Sequence, residues 1–248
     1  MKQLEGKVAL VTGGNSGLGL ATAKLFKEEG ARVFITASSA NTFKAAQAEY
    51  GSQFEIVQAD VSKAAEVEQL TKTIQREAGH LDVLVANAGI SIIKRTEEFE
   101  EGDYDRGFDI NTKGLYLTVQ KLSPLLAKNA SVVLMASAAA TMGFNGGSVY
   151  GASKAAIRSF GRMWAAEFTG REIRVNTVSP SLIETPIIQK LGDDPETLNM
   201  LSEISNKNAL KRLGRPEEVA EAILFLASSR SSYINGIELM IDGGQISM

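Results

Sequence analysis

The chain has 248 residues, a formal net charge of −3 at pH 7 and no cysteine. This length accommodates one large α/β domain or two small ones, and the charge argues against binding to nucleic acid or to anionic membranes. The absence of cysteine excludes disulfide bonds and thiol catalysis. The N-terminus lacks an apolar signal region, and no apolar stretch approaches the roughly 20 residues that span a bilayer. We therefore expect a soluble, cytoplasmic protein.

A glycine-rich turn follows the first apolar stretch. Residues 7–12 form a continuous apolar run, typical of a strand buried on both faces, and a helical pattern covers residues 20–29. Between them, the sequence Gly13-Gly-Asn-Ser-Gly17-Leu-Gly19 would leave backbone N–H groups at the positive end of the helix. Glycine-rich turns without phosphate are common, and the spacing differs from the usual Gly-x-Gly-x-x-Gly. The position between strand and helix nevertheless predicts a pyrophosphate site.

The end of the second strand bears on the choice of dinucleotide. Residues 32–36 form this strand, and Ala37, Ser38 and Ser39 follow it. A carboxylate about 20 residues past the glycines would bind the ribose 2′-hydroxyl of NAD, but position 37 is alanine. No arginine is present to hold a 2′-phosphate, although the two serines and Asn41 could bind one. This interpretation favours NADP(H) and leaves NAD(H) open.

Strands and helices alternate through the rest of the chain. Further strands are predicted at 54–58, 81–85, 132–136, 173–178 and 237–241, and further helices at 66–78, 104–128, 150–168 and 217–227. Seven strands separated by helices predict a single doubly wound α/β Rossmann domain over residues 1–248, with a parallel sheet. Residues 187–213 lack a clear periodicity, so a substrate lid is expected at about 186–214.

One serine, one tyrosine and one lysine form a candidate proton-transfer site. Tyr150 and Lys154 are four residues apart, so a helix places them on one face, and Ser137 follows the strand that precedes this helix. A phenol has a pKa of about 10. An ammonium about 4 Å away, at an effective dielectric constant of about 20, would favour the phenolate by about 4 kcal/mol. Taken alone, the Tyr-x-x-x-Lys pair is more simply an exposed pair on a surface helix.

In combination, these motifs resemble the short-chain dehydrogenase/reductase family of the 250-residue type. The similarity runs from about residue 4 to residue 244, and its pieces are the glycine turn from Thr12 to Gly19, Asp60, Asn87-Ala-Gly89, Asn111, Ser137, Tyr150-x-x-x-Lys154 and Ser179-Pro180. The resemblance implies the strand order 3-2-1-4-5-6-7 and hydride transfer between NAD(P)H and a ketone or secondary alcohol. Tyr150 would be the acid/base and Ser137 the oxygen anchor. Lys154 would lower the pKa of the tyrosine and bind the nicotinamide ribose, and Asn111 would hold a water molecule.

The same resemblance implies where the dinucleotide would lie. The residues expected to contact it are Gly13, Asn15, Ser16, Gly17, Leu18, Gly19, Ser38, Ser39, Asp60, Val61, Asn87, Ala88, Gly89, Tyr150, Lys154, Pro180, Ile183 and Thr185. Two positions depart from the family pattern. Ser181 replaces a usual glycine, and Ser16 stands where many NADPH-dependent members carry a basic residue.

Mostly apolar residues form the predicted substrate wall: Ser91, Ile92, Ala139, Met142, Phe144, Ile187 and Ile188. No arginine stands where a substrate carboxylate could be paired, so hydrophobic or aromatic ketones are favoured. A β-ketoacyl-thioester reductase is the alternative, with Lys211, Arg212 and Arg215 meeting an acidic carrier protein. A non-catalytic dinucleotide sensor is a third hypothesis. With a single histidine and no cysteine, no metal site is expected. Family members are often tetramers, so a homotetramer is expected.

Overall fold

A computed structural model describes residues 2–186, 202, 205, 206 and 208–246. Its strands are β1 (Val8–Val11), β2 (Arg32–Ala37), β3 (Glu55–Gln58), β4 (Leu81–Ala86), β5 (Leu126–Met135), β6 (Arg174–Pro180) and β7 (Glu238–Ile241). Its longer helices are α1 (Gly17–Glu28), α2 (Ala40–Tyr50), α3 (Ala64–Glu77), α4 (Glu101–Phe108), α5 (Leu115–Leu122), α6 (Ser148–Glu167) and α7 (Pro216–Ala227). Short helical turns include Asp109–Gly114, of π type, and Ala138–Ala140, of 3-10 type.

The strands form one seven-stranded sheet in the order β3-β2-β1-β4-β5-β6-β7, and every pair is parallel. The predicted fold class and strand order are therefore confirmed. The order reverses beside β1, so β1 and β4 lie at the centre of the sheet, where the crevice of such folds binds ligands. The glycine turn after β1 and the residues after β4 and β5 all lie at this carboxyl edge.

Alternating side chains of the buried strands supply a hydrophobic core on each face of the sheet. On one face, Leu10 and Leu134 pack with residues of α3, α5 and α6. On the other, Val11 and Val133 pack with residues of α1 and α7. Covering helices on both faces explain why these strands read as continuous apolar runs. Among the described residues, no helix is long and apolar enough to cross a membrane.

The region between β4 and β5 differs from the predicted single helix at 104–128. The helical segment begins at Glu101, passes through the π turn and ends with α5 at Leu122. Pro124 lies in the 3-10 turn that follows, and β5 already begins at Leu126. A proline lacks the N–H that a continuing helix needs, so the prediction for residues 123–128 was wrong.

Candidate active site

Hydrogen bonds join the glycine turn to the neighbouring strand ends. Thr12 Oγ1 accepts from the main-chain N–H groups of Asn87 and Ala88, both at 3.0 Å. Asn87 Nδ2 donates back to the Thr12 carbonyl at 2.8 Å, and the N–H of Gly13 donates to Thr36 Oγ1 at 2.9 Å. Neither Thr12 nor Thr36 was given a role from the sequence. The sequence feature that could have identified them is the position of each threonine at the end of a buried strand.

Two of the glycines are required, Gly19 by its surroundings and Gly17 by its backbone conformation. A Cβ atom on Gly19 would collide with the carbonyl oxygen of Gly13 and lie 2.6 Å from Asn87 Nδ2. Gly17 has a positive φ of 52°, and a Cβ there would lie 3.9 Å from Thr185 Cβ. The turn therefore lets helix α1 approach both β1 and the segment after β6, as the glycine spacing predicts.

The N-terminus of α1 fits a phosphate group. Its first turn, residues 17–20, contains no carboxylate, and among the described residues the Ser16 side chain makes no cap hydrogen bond. Backbone N–H groups thus remain for an anion at the positive end of the helix. Asn15 and Leu18 are half-buried in this turn and Ser16 is exposed. These residues fit the pyrophosphate of a dinucleotide.

The residues expected around the adenosine end already make structural hydrogen bonds. Ser38 is exposed, whereas the hydroxyl of Ser39 caps α2 by accepting from the N–H of Thr42 at 3.2 Å. One carboxylate oxygen of Asp60 accepts from the N–H and hydroxyl of Ser62, at 3.1 and 2.7 Å. Val61 is buried. Ser38 is the more accessible of the two serines for a 2′-phosphate.

Ser137, Tyr150 and Lys154 come together at the carboxyl end of β5. The side chain of Ser137 interacts with the Tyr150 phenol and lowers its pKa, and Ser137 Oγ accepts from the N–H of Ala139 at 3.2 Å. Lys154 Nζ lies 6.0 Å from the centroid of the Tyr150 ring. The structure thus brings together the hydroxyl, the phenol and the ammonium that the sequence pattern predicts as neighbours.

The lysine is fully inside the protein. Its Nζ atom donates to the Met135 carbonyl at 2.9 Å, and burial lowers the pKa of Lys154 to about 8. A Cβ atom on Gly89 would lie only 3.3 Å from this Nζ. Gly89 therefore leaves room for the ammonium beside β4, which gives a physical reason for glycine at that position.

The pKa of Tyr150 is raised, whereas the sequence predicts that it is lowered. Burial raises the pKa of Tyr150, and the interaction with Ser137 offsets only part of that increase. The expected lowering by a neighbouring ammonium required a close contact with the phenol. Lys154 instead donates to Met135, so in this protein chain desolvation of the phenolate is the larger effect.

Asn111 connects the site to the loop after β4. In the π turn, its Oδ1 accepts from the N–H of Ile90 at 2.8 Å, and its Nδ2 donates to the Ile90 carbonyl at 2.9 Å and to Ser153 Oγ at 3.0 Å. Ser153 Oγ donates to the Tyr150 carbonyl at 2.7 Å. Because its amide already binds protein groups, the water-holding role of Asn111 stays a prediction. Ser153 was not identified from the sequence.

The segment after β6 faces the glycine turn. Pro180 ends β6 and is buried, as is Ile183, which forms an isolated parallel bridge with Gly214. Thr185 is half-buried beside Gly17. The hydroxyl of Ser181 hydrogen-bonds to Gln245. Thr185 is thus near the turn, and the contact of Pro180, Ile183 and Thr185 with a nicotinamide stays a prediction.

A cavity of about 600 Å³ lies beside the first turn of α6, where Ser148, Gly151 and Ala152 line it. Ala139, Met142 and Phe144 of the predicted wall line it, together with Gly151, which directly follows Tyr150. Arg95 also lines this cavity, so an arginine stands beside part of the predicted wall, and whether it could pair with a substrate carboxylate stays a question for the substrate test. The folding of the loop after β4 brings it there.

Not every residue of the predicted wall lines this cavity. Ser91 is exposed and Ile92 half-buried in the loop after β4, and neither belongs to the cavity lining. Ile187 and Ile188, with most of the predicted lid, lie outside the described residues. Among the described residues, no cluster of three or more acidic or histidine side chains could hold a metal ion.

Arginines beside the predicted lid are already paired. Arg212 binds both carboxylate oxygens of Glu218, at 2.8 and 2.7 Å, and Arg215 lies 3.2 Å from the same carboxylate. These contacts lower the pKa of Glu218 to about 2. Arg212 and Arg215 therefore share one carboxylate, which balances one of the three positive charges expected to meet an acidic carrier protein.

Comparison with known proteins gives matches over nearly the whole chain. A family model described as enoyl-(acyl carrier protein) reductase matches residues 13–245. The oxidoreductase asL5 of Sarocladium schorii is 39% identical, with 98% of this chain and 97% of the relative covered. The 3-oxoacyl-[acyl-carrier-protein] reductase FabG of Thermotoga maritima is 38% identical, covering 98% and 99%. The solved structure of a short-chain dehydrogenase/reductase described as a glucose/ribitol dehydrogenase from Brucella melitensis has a TM-score of 0.91 at 33% identity, covering 99% of both chains.

Proposed function

The chain belongs to the short-chain dehydrogenase/reductase family, and from this we propose that it reduces hydrophobic or aromatic ketones with NADPH. The family comprises oxidoreductases that use NAD(P)(H). The observation that carries the proposal is the convergence of Ser137 and Tyr150, whose side chains interact, beside the buried Lys154. When bound, the nicotinamide supplies the hydride that reduces the carbonyl carbon.

The side chains supply the proton. The Ser137 hydroxyl would donate a hydrogen bond to the carbonyl oxygen of the substrate, and the Tyr150 phenol would transfer its proton to that oxygen as the alcohol forms. Burial keeps the pKa of Tyr150 raised, so the phenol is protonated at neutral pH and suited to act as a general acid. This supports reduction as the working direction. Lys154 holds its ammonium next to Gly89, where the resemblance predicts the nicotinamide ribose.

One part of the cavity wall supports a substrate with an apolar body, whereas Arg95 and Glu97 line another part. Ala139, Met142 and Phe144 contribute apolar surface close to Gly151, and burying such surface contributes about 25 cal/mol per Å². The proposed NADPH preference is supported by the end of β2, where Ala37 and Ser38 carry no charge that would repel a 2′-phosphate. NAD(H) remains the alternative cofactor.

The test is the loss of reduced-nicotinamide absorbance with acetophenone, run in parallel with NADPH and NADH. Tyr150→Phe should lower turnover by about 10²- to 10⁴-fold, because the general acid is lost, while binding of NADPH measured by its fluorescence is retained. Tyr233→Phe is the matched control, since Tyr233 is fully exposed. Oxidation of ribitol in preference to aryl alcohols would contradict the substrate class. Tight NADPH binding without turnover of any ketone would favour a non-catalytic sensor.

A β-ketoacyl-thioester reductase is the second candidate, favoured by the 38% identity to FabG. Such an enzyme should reduce acetoacetyl thioesters, and free acyl carrier protein should compete with its substrate. Arg212 and Arg215 share the single carboxylate of Glu218, so this segment keeps positive charge that an acidic carrier could meet. Competition by free carrier protein would support the β-ketoacyl-thioester reductase. A lack of competition would support the reduction of simple ketones.

We also propose a homotetramer assembled through α5 and α6. Tyr116 and Met163 on these helices are exposed large side chains, beside the stacked pair Phe160 and Trp164. Covering them would remove apolar surface from water. Light scattering after size-exclusion chromatography should give four chains, and Met163→Glu should give a smaller assembly.

A further inference from the structure

Arg158 lies on the catalytic helix, outside the group of residues that the sequence singled out. It follows Lys154 by four residues and Tyr150 by eight (158 − 150), so all three share one face of α6. Its side chain is 29% exposed and that of Glu238, at the start of β7, is 18% exposed. An arginine this far from solvent needs partners for its guanidinium.

The guanidinium contacts two elements besides its own helix. Arg158 Nη1 donates to the main-chain carbonyl of Ala140 at 3.2 Å, and Arg158 Nε lies 2.5 Å from Glu238 Oε2 in an ion pair that lacks hydrogen-bond geometry. The other carboxylate oxygen of Glu238 accepts from Ser179 Oγ at 2.6 Å. Arg158 thereby connects α6 to the turn after β5 and, through Glu238, to the ends of β6 and β7.

The turn that Arg158 holds is the one that carries Ser137. Its main chain is closed by a 2.9 Å hydrogen bond from the N–H of Ala140 to the Ser137 carbonyl. On the other side the turn touches α6, since a Cβ atom on Gly151 would lie 2.8 Å from the Ala139 carbonyl oxygen. The carbonyl of Ala140, at the end of this single turn, has no following helical turn to bond to. Its bond to Arg158 supplies that partner.

We propose that Arg158 is a positioning residue, which fixes Ser137 against Tyr150 by holding the Ala140 carbonyl while Glu238 orients the guanidinium. This inference rests on the proposed ketone reduction. Arginine suits the role because its planar group presents several N–H donors in fixed directions and can serve a carbonyl and a carboxylate together. A lysine could pair with Glu238 but presents a single ammonium.

A purely structural role of Arg158 predicts different effects of its substitution from those of a positioning role. If Arg158 only fastened α6 to β7, its loss would lower stability and leave the chemistry per folded molecule unchanged. If it positions Ser137, its loss misaligns the substrate oxygen with Tyr150, and small misplacements of reacting groups cost up to about 10²-fold in rate. The two roles can therefore be separated by comparing kcat with thermal stability.

The experiment compares Arg158→Met and Arg158→Lys with wild type, using acetophenone and NADPH. For both variants we expect kcat to fall at least about tenfold with the KM for acetophenone changed little, because Ala140 loses its donor. Arg158→Lys should keep the melting temperature close to that of wild type, since the pairing with Glu238 is retained. Arg162→Gln is the matched control, an exposed arginine one turn further along α6 whose loss should leave kcat unchanged.

A second arm tests whether Arg158 acts through Ser137. In a Ser137→Ala background, Arg158→Lys should lower kcat by less than about twofold, because the group it positions is gone. Additive losses, or full kcat in Arg158→Lys, would overturn the proposal. Crystal structures of wild type and Arg158→Lys give a readout independent of turnover: the distance between the hydroxyl groups of Ser137 and Tyr150 should increase. An unchanged distance overturns the inference even if acetophenone proves not to be a substrate, which would contradict only the proposed function.

Discussion

Lys154 Nζ donates a 2.9 Å hydrogen bond to the main-chain carbonyl of Met135, near the end of the strand that leads to Ser137. This bond fixes the ammonium between β5 and Gly89. It does not remove the cost of taking a charge out of water, and burial lowers the pKa of Lys154 to about 8. The position of the lysine therefore has a consequence for stability as well as for the site.

The first prediction concerns the pH dependence of stability. Lys154 has a lower pKa in the folded chain than its ordinary value of 10.5, so the unfolded chain binds more protons between these values. The free energy of unfolding should rise with pH in this window, by about 2 kcal/mol between about pH 8 and about pH 9.5. Urea denaturation at the two pH values measures the increase.

Lys154→Met should lack this increase, because no charge is buried in it. Lys44→Met, at an exposed position of α2, should keep it. The window stops below pH 10 because the raised pKa of Tyr150 acts in the opposite direction at higher pH. An equal slope in wild type and Lys154→Met would show that Lys154 is not the responsible group.

The second prediction concerns the choice of cofactor. Ser38→Asp places a carboxylate at the exposed end of β2, where it would repel a 2′-phosphate and accept from a ribose hydroxyl. The ratio of kcat/KM for NADPH to that for NADH should fall at least about tenfold, as measured by steady-state kinetics. Ser52→Asp adds the same charge at an exposed turn after α2 and should leave the ratio unchanged. An unaltered ratio in Ser38→Asp would place the 2′-phosphate elsewhere.

The third prediction concerns the glycine turn. Gly19→Ala forces a Cβ atom against the Gly13 carbonyl and to within 2.6 Å of Asn87 Nδ2, so α1 must move away from β1. We expect a loss of about 1–3 kcal/mol in the free energy of unfolding and weaker NADPH binding, measured by denaturation and fluorescence titration. Gly102→Ala is the control, since a Cβ there meets no atom within 4 Å. Unchanged binding in Gly19→Ala would argue against a phosphate at this turn.

The fourth prediction concerns Asn111. Asn111→Leu leaves the half-buried N–H and carbonyl of Ile90 without the amide that satisfies them, and an unsatisfied group costs up to about 1–3 kcal/mol when it is buried. The melting temperature should fall, and the KM for acetophenone should rise because the loop after β4 is released. Gln120→Leu, at an exposed position of α5, should alter neither. A melting temperature equal to that of wild type would show that water replaces the amide without cost.

Much of the fold is readable from local patterns. Buried strands flanked by helices are long apolar runs, and the alternation of strands and helices predicts a doubly wound parallel sheet, whereas the resemblance to the family implies its strand order. The bounds of the helices between β4 and β5, and the start of β5, could not be predicted in the same way. Leu125 and Leu126 continue a helical-looking apolar pattern, and Pro124 alone marks the break. Where one residue decides between helix and strand, packing against the core settles the outcome.

The sequence by itself determined that Tyr150 and Lys154 share a helix face, because a spacing of four is a property of the helix. Only the tertiary structure decided that Met135 accepts from the lysine, that Ser153 and Asn111 tie the helix to Ile90, and that Arg95 reaches the cavity. The tertiary structure also decided that the pKa of Tyr150 is raised, because burial is set by the surrounding elements and not by neighbours along the chain. Contacts between residues far apart in sequence leave no periodic pattern in the sequence. For this physical reason they could be identified only from the tertiary structure.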